Sequence, residues 1–349
     1  MKLLVTGASG FLGKYVVAEA LRRGHQVSAV IRATTNEQSL SWSNHPAVEL
    51  VCLDLRHQNG ITEAVRGMDA VIHLAATKAG DFDTQFAGTV TLTENLLKAL
   101  VEAQVWRLVA ISTFSVFDYL HIPANEIINE ESPIDRDPSQ RDAYARTKLI
   151  QEDTIRNFAH HQGGQVTILR PGVVYGRDNL WNARLGARLG NNLWIHIRTP
   201  GEIPLTYVEN CAKAIVAAAE CEQAIGETLN LVDDNLPSQK TYLQQLIMRM
   251  SSQPRTIPIN WTVMRVLANT VWQGNRWLFK GKLKLPGILV PARLDARFKP
   301  FRYSNSKVKQ ILNWTPKYSL ETALDRSCGD VALLEVSDDM NSTLSFSPD

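Results

Sequence analysis

The stretch Leu3-Leu4-Val5-Thr6-Gly7-Ala8-Ser9-Gly10-Phe11-Leu12-Gly13 constrains this chain more than any other. An apolar run of strand length meets three glycines, and a helical pattern (Val16, Val17, Ala20, Leu21) comes directly after. Glycines at 7, 10 and 13 suit a tight turn that leaves no side chain in the way of a phosphate. The helix beyond it aims free N–H groups and its positive dipole end at that anion. Strand, glycine turn and helix in this order make a dinucleotide-binding fingerprint, with one extra residue between the first two glycines.

Beyond the loop, strands and helices keep alternating. Gln26–Ile31 reads as a second strand with Arg32 just past its end. At that place a carboxylate would hold the ribose hydroxyls of NAD, whereas an arginine suits the 2′-phosphate of NADP, so NADP(H) is favoured over NAD(H). Val48–Leu55 reads as a third strand, and its Asp54 is placed to accept from an adenine amino group or to cap the next helix. Ala70–Ala76 is a fourth, nearly all-apolar strand whose small residues let the backbone approach a cofactor; its His73 reads as structural. A helix from Val90 to Ala103 and a strand Arg107–Thr113 come next, then a polar stretch 118–142 that reads as a surface loop. A helix starts at Asp142, and Gln165–Arg170 is a further strand. Such alternation predicts a doubly wound, Rossmann-type parallel sheet, followed by a smaller, mostly helical C-terminal substrate-binding part.

Bulk properties narrow the class. The 349 residues are 44% hydrophobic and 21% charged, with a net charge of +2, which argues against nucleic acid as a partner. Cys52, Cys211, Cys221 and Cys328 show no metal-ligand spacing, so no metal is expected and the thiols read as free in a reducing, cytoplasmic compartment. The glycine loop begins before an apolar signal core could form, and no apolar run reaches the length of a membrane span.

Tyr144 and Lys148 sit four apart on one helix, so their side chains leave the same face. An ammonium beside a phenol favours the phenolate, which predicts a tyrosine lowered toward a pKa useful for acid–base work. Ser112 and Thr113 bring hydroxyls to the C-terminal end of a sheet strand, where doubly wound folds place their sites.

Thr6–Gly13, Asp54-Leu55, His73–Ala76, Ile111–Thr113, Tyr144-x-x-x-Lys148, Arg170–Gly176 and the terminal Tyr303–Val308 and Leu312–Pro316 occur in a fixed order. In that order they resemble the extended short-chain dehydrogenases/reductases, the NAD(P)-dependent epimerase/dehydratase superfamily, over residues 1 to about 325. The resemblance implies that Tyr144 is the proton donor or acceptor, that Lys148 holds the nicotinamide ribose, and that Thr113 hydrogen-bonds the reacting oxygen. It implies cofactor contacts from Gly7, Ser9, Gly10, Phe11, Leu12, Gly13, Arg32, Asp54, Leu55, Leu74, Ala75, Ala76, Pro171 and Val173, besides Tyr144 and Lys148. It also implies an oxidoreductase interconverting a ketone and a secondary alcohol, with the look of the ketone/hydroxysteroid-type branch. A nucleotide-sugar 4-epimerase or reductase and a non-catalytic NADP(H)-sensing module are the alternatives. Two departures stand out. Phe114 and Ser115 occupy places where dehydratase-type members carry an acidic pair, which disfavours elimination of water, and Thr89 aligns with a usual asparagine.

The expected organisation is a cofactor domain over 1–176, rejoined by 208–235, a substrate-binding part over 177–207 and 236–325, and a disordered tail over 335–349. Residues 255–302 hold ten Lys or Arg and one acid, Asp295, among Trp261, Met264, Trp272 and Trp277. Three roles compete for them: a helix packed over the substrate cleft, a peripheral contact with an anionic membrane, and cations for a substrate diphosphate. The remaining expected partners are a small-molecule substrate and a second copy of the chain, as a homodimer.

Overall fold

The computed structural model describes residues 1–181, 184–189, 193–250 and 254–336, so the expected tail lies, from 337 onward, outside the described residues. Seven parallel strands form the central sheet. Their order across it is Thr228–Leu231, Gln165–Pro171, Arg107–Ile111, Ala70–His73, Lys2–Thr6, Gln26–Ile31 and Val48–Cys52. Strand order reverses between Lys2–Thr6 and Ala70–His73, which opens a crevice at the carboxyl ends of those two strands.

Both faces of the sheet are covered, because successive side chains on a strand point opposite ways. Leu3 and Val5 join one core with the helices Phe11–Arg22 and Val208–Glu220. Leu4, between them, joins another with Leu92–Ala103 and Ala143–Gln162. The last of these helices starts where the sequence predicts, with the Asp142 carboxylate accepting from the Ala145 N–H at 2.9 Å.

Several boundaries differ from the expectation. The third strand stops at Cys52 and the fourth at His73, leaving Asp54 and Leu74–Ala76 on the loops beyond. The helix expected from Val90 is preceded by the helical turn Phe82–Phe86 and a π-helical turn Ala87–Thr91 that contains Thr89. The polar stretch 118–142 is more than a surface loop. Tyr119, Ile122 and Ile128 are buried in an aromatic cluster with Phe114, Phe117 and Phe301. Its short strand Ile127–Ile128 pairs in parallel with Arg302–Tyr303. Its polarity hid apolar residues that become useful only once the C-terminal part folds back over them. That part also holds a three-stranded sheet absent from the sequence expectation, in which Leu193–Arg198 lies between Gly186–Leu189 and the edge strand Arg255–Asn260.

Candidate active site

The glycine loop closes at the crevice. Gly7 adopts φ +70°, and a Cβ there would lie 3.0 Å from the Ala75 nitrogen. Gly13 lets the helix press onto the loop, since its Cβ would fall 2.1 Å from the Gly7 carbonyl oxygen. Helix Phe11–Arg22 has no side-chain cap and no acid in its first turn, so its leading N–H groups remain available to an anion. A cleft of about 730 Å³ opens alongside, lined by Ser9, Phe11, Lys14, Lys78, Arg177 and Asn179 among others.

Thr6, at the end of the first strand, ties the two sides of the crevice together. Its hydroxyl accepts from the Leu74 and Ala75 N–H groups at 3.2 and 3.3 Å and contacts His73 Nδ1 at 2.7 Å. From there a buried chain runs to the helix Ala143–Gln162. The Thr93 hydroxyl donates its single proton to the Thr89 carbonyl at 2.6 Å. His73 Nε2, 2.9 Å from Thr93 Oγ1, must therefore be the donor in that contact, which leaves Nδ1 to accept from Thr6. Burial, and next the charge of Lys148, push the imidazole down to about 3, so it stays neutral and structural. Gln151 completes the chain: its amide N–H donates to Thr93 at 2.8 Å and its carbonyl accepts from the Lys148 ammonium.

Lys148 is buried, and its ammonium also donates to the Ile111 carbonyl at 2.6 Å. Two of its three N–H donors are thus taken and one is left for a ligand. Burial, and then the nearby Lys78 charge, bring its pKa down to about 7. Tyr144 corrects the sequence expectation. Burial raises its phenol to about 12, against the opposing hydrogen bond from Thr113, and Lys148 is not among the groups acting on it. Desolvation outweighs the expected help from the ammonium, which is held by Ile111 and Gln151 instead. Ser112, next to Thr113, serves the fold. Its hydroxyl donates at 2.6 Å to Glu152, which is held in a buried ion pair by Arg170.

Residues 3–231 match the NAD dependent epimerase/dehydratase family. The chain belongs to that family. Across 340 residues it is 24% identical to a 3-beta-hydroxysteroid dehydrogenase of Mycolicibacterium neoaurum, covering 93% of this chain and 89% of that protein. It is 30% identical over 233 residues to a 2-alkyl-3-oxoalkanoate reductase of Stenotrophomonas maltophilia, covering 63% of this chain and 66% of that one. Among solved structures, a UDP-glucose-4-epimerase from Stenotrophomonas maltophila with bound NAD superposes with a TM-score of 0.72 at 19% identity, covering 94% of this chain and 97% of that one. That likeness speaks for the fold. The epimerase/dehydratase-family chain is an NAD(P)-dependent oxidoreductase, which sets aside the non-catalytic module.

The other predicted contacts divide by side-chain position. Arg32 is exposed and makes no ion pair among the described residues, while its carbonyl accepts from Thr35 N–H at 2.8 Å. Thr35 in turn donates to the Ser9 hydroxyl at 3.4 Å, which brings this rim to the glycine loop. Asp54 is engaged by Arg56, whose Nε lies 3.0 Å from Oδ1, and that hydrogen bond above all holds the carboxyl down to about 2. Leu55 turns its side chain into the core, so only its main chain is left for a ligand. Leu74, Ala75 and Ala76 are half-buried on the crevice wall. Pro171 ends the Gln165–Pro171 strand, and Val173, which opens the short strand Val173–Tyr175, donates its N–H to the Pro204 carbonyl at 2.6 Å. Lys78, Thr93 and Gln151 were not singled out by the sequence. Of these only Gln151, three residues beyond Lys148 on the same helix, carried a spacing signal.

Proposed function

We propose that this enzyme interconverts a ketone and a secondary alcohol, prefers NADP(H), and uses Tyr144 as its acid and base. The reading is supported by two contacts at the end of the Arg107–Ile111 strand: Thr113 hydrogen-bonds the Tyr144 phenol, and the Lys148 ammonium donates to the Ile111 carbonyl. When bound, the nicotinamide supplies or accepts the hydride. The chain's own work is positional and protic. Uncapped N–H groups of the first helix and the cations Lys14 and Lys78 suit a diphosphate. Lys148 has one donor to spare for a ribose hydroxyl.

A phenol held near 12 keeps its proton through the physiological range, which suits Tyr144 to donate that proton to a ketone oxygen as the carbon is reduced. Thr113 hydrogen-bonds the same region. Phe114, buried and stacked on Tyr303 with ring centroids 5.5 Å apart, fills the place where an acid would have been needed to eliminate water. Unpaired Arg32 supports NADP(H) through its attraction for a 2′-phosphate.

The test is turnover of a ketone panel with NADPH and NADH. Tyr144→Phe should lower kcat by at least ~10³-fold while NADPH still raises the melting temperature as in wild type. Appreciable residual turnover overturns the role of Tyr144. Arg32→Ser should weaken NADPH binding ~10-fold or more and leave NADH unchanged; an equal loss for both rejects the 2′-phosphate assignment. Tightly retained cofactor with stabilisation by UDP-sugars, and no ketone reduction, would point to the epimerase instead.

A further inference from the structure

Nine of the ten cations of residues 255–302 fall into two sets once folded. Arg293, Arg297 and Lys299 make contacts within the protein. Arg293 donates to the Gln140 and Arg141 carbonyls, each at 3.2 Å, and Arg297 lies 4.0 Å from the Asp142 carboxylate that caps the catalytic helix. Lys299 is buried and donates to the Tyr119 and Leu120 carbonyls. The other set stays outside. From Pro254 to Leu289 there are six Lys or Arg and no Asp or Glu. Arg255, Arg276, Lys280, Lys282 and Lys284 are exposed and make no ion pair among the described residues, and none lines the cleft beside the glycine loop.

These cations flank a helix with two apolar faces. Helix Trp261–Phe279 packs Trp261, Met264 and Ala268 against Leu294 and Phe298 of the helix beneath it. One such face is enough to seat it. Val263, Val266, Leu267, Thr270, Gly274, Trp277 and Leu278 repeat at helical spacing on the opposite side, an uncharged stripe about 22 Å long. Its large residues stand in solvent: Val263 is 61% exposed, Val266 62%, Leu278 64% and Trp277 84%. The tip is built to hold this posture. Asn275 is buried, donates to the Leu283 carbonyl at 3.0 Å and accepts from its N–H at 3.3 Å. That clamp fixes the turn that presents Phe279, Lys280, Lys282 and Leu283 together.

We propose that this outer stripe and the Lys280–Lys284 turn are a docking surface for an anionic lipid bilayer. No described helix is long and apolar enough to cross a membrane, so the helix lies in the interface plane with its stripe among the acyl chains. The surrounding cations meet lipid phosphates and carboxylates. A second copy seated on the same stripe would set these unpaired cations against an identical set, which disfavours it as occupant. The neighbouring helix Pro291–Phe298 fastens to the entry of the catalytic helix through Arg293 and Arg297, so the docked surface lies one helix away from the residues leading to Tyr144. The proposal concerns the surface and holds whatever the substrate.

Flotation with phosphatidylcholine vesicles, with and without phosphatidylglycerol, tests it at low and high salt. The wild type should float with anionic vesicles at low salt, at least ~10-fold more strongly than with neutral ones, and come off at high salt. Trp277→Glu combined with Leu278→Glu, both exposed, should lose at least ~10-fold in binding while keeping wild-type melting temperature and NADP(H) binding. Lys280→Gln, Lys282→Gln and Lys284→Gln together should remove the preference for anionic lipid. No flotation at low salt overturns the proposal, and so does undiminished binding by the Glu variant. Sedimentation supplies a further check: a wild-type dimer that this variant splits would show that a second copy covers the stripe, and would equally overturn it.

Discussion

Lys148 keeps its ammonium nearly out of water, and its depressed pKa has a measurable consequence. With a pKa of about 7, it is roughly nine-tenths neutral at pH 8 in the free enzyme. A dinucleotide brings phosphate charge into the cleft and an acceptor to the spare N–H, and both raise that pKa. Binding of NADP at pH 8 should therefore draw in close to one proton. Calorimetry in buffers of different ionisation enthalpy measures it. Lys148→Met should abolish the uptake; uptake unchanged in that variant would assign the proton to another group. That Tyr144 and Lys148 share one helix was legible, because their spacing of four fits a helical period. Their actual pKa directions were not, because both depend on how far tertiary packing removes water.

Elements carry the next level of control. The first strand, its glycine turn and the uncapped helix form a unit whose parts touch through bare backbone. Gly13 is its tightest point, and Gly13→Ala should destabilise the protein by about 2–3 kcal/mol, because the Gly7 carbonyl must move to admit the methyl group. The same displacement disturbs the turn meant for phosphate. NADPH affinity should fall along with the melting temperature; stability and binding both within error of wild type would reject the tight contact. The glycine unit was fully legible, since its periodicity and its glycines agree. The stretch 118–142 was not. Its polar composition reflects its surface side, while Tyr119 and Ile122 pack against Phe301, a residue almost two hundred positions away.

At the scale of the whole molecule, one buried carboxylate joins the sheet to the helix Ala143–Gln162. Glu152 is buried, which by itself would raise its pKa from the usual 4.5, yet the Arg170 hydrogen bond and charge, with Ser112 and Arg156, hold it at about 2. A carboxylate depressed in the folded state contributes stability that is fully present above its unfolded value of 4.5 and is lost as pH falls toward 2. Glu152→Gln should cost about 3 kcal/mol at pH 7, because it leaves the Arg170 charge buried without its partner. In urea unfolding the gap between wild type and variant should narrow as pH drops from 5 to 3, over the window set by those two values. A gap constant with pH would remove Glu152 from that role.

The parallel α/β architecture, the glycine turn before the first helix and the helix shared by Tyr144 and Lys148 were all dictated by the order of the amino acids. They rest on local rules: glycine where side chains collide, strand and helix periods, and capping by Asp142. Which hydroxyl serves the fold and which the site was decided by packing, since Ser112 and Thr113 are neighbours that point to Glu152 and Tyr144 respectively. Packing also decided which cations of 255–302 make contacts within the protein, as Arg293 and Lys299 do, and which make no ion pair among the described residues, as Lys280 and Lys282 do. Both outcomes depend on partners distant in sequence, and burial and electrostatics act through space. Even the opening loop depends on them in part, because Thr6 closes its crevice through His73, Thr93 and Gln151, which approach only when the sheet and the helix Ala143–Gln162 are packed together.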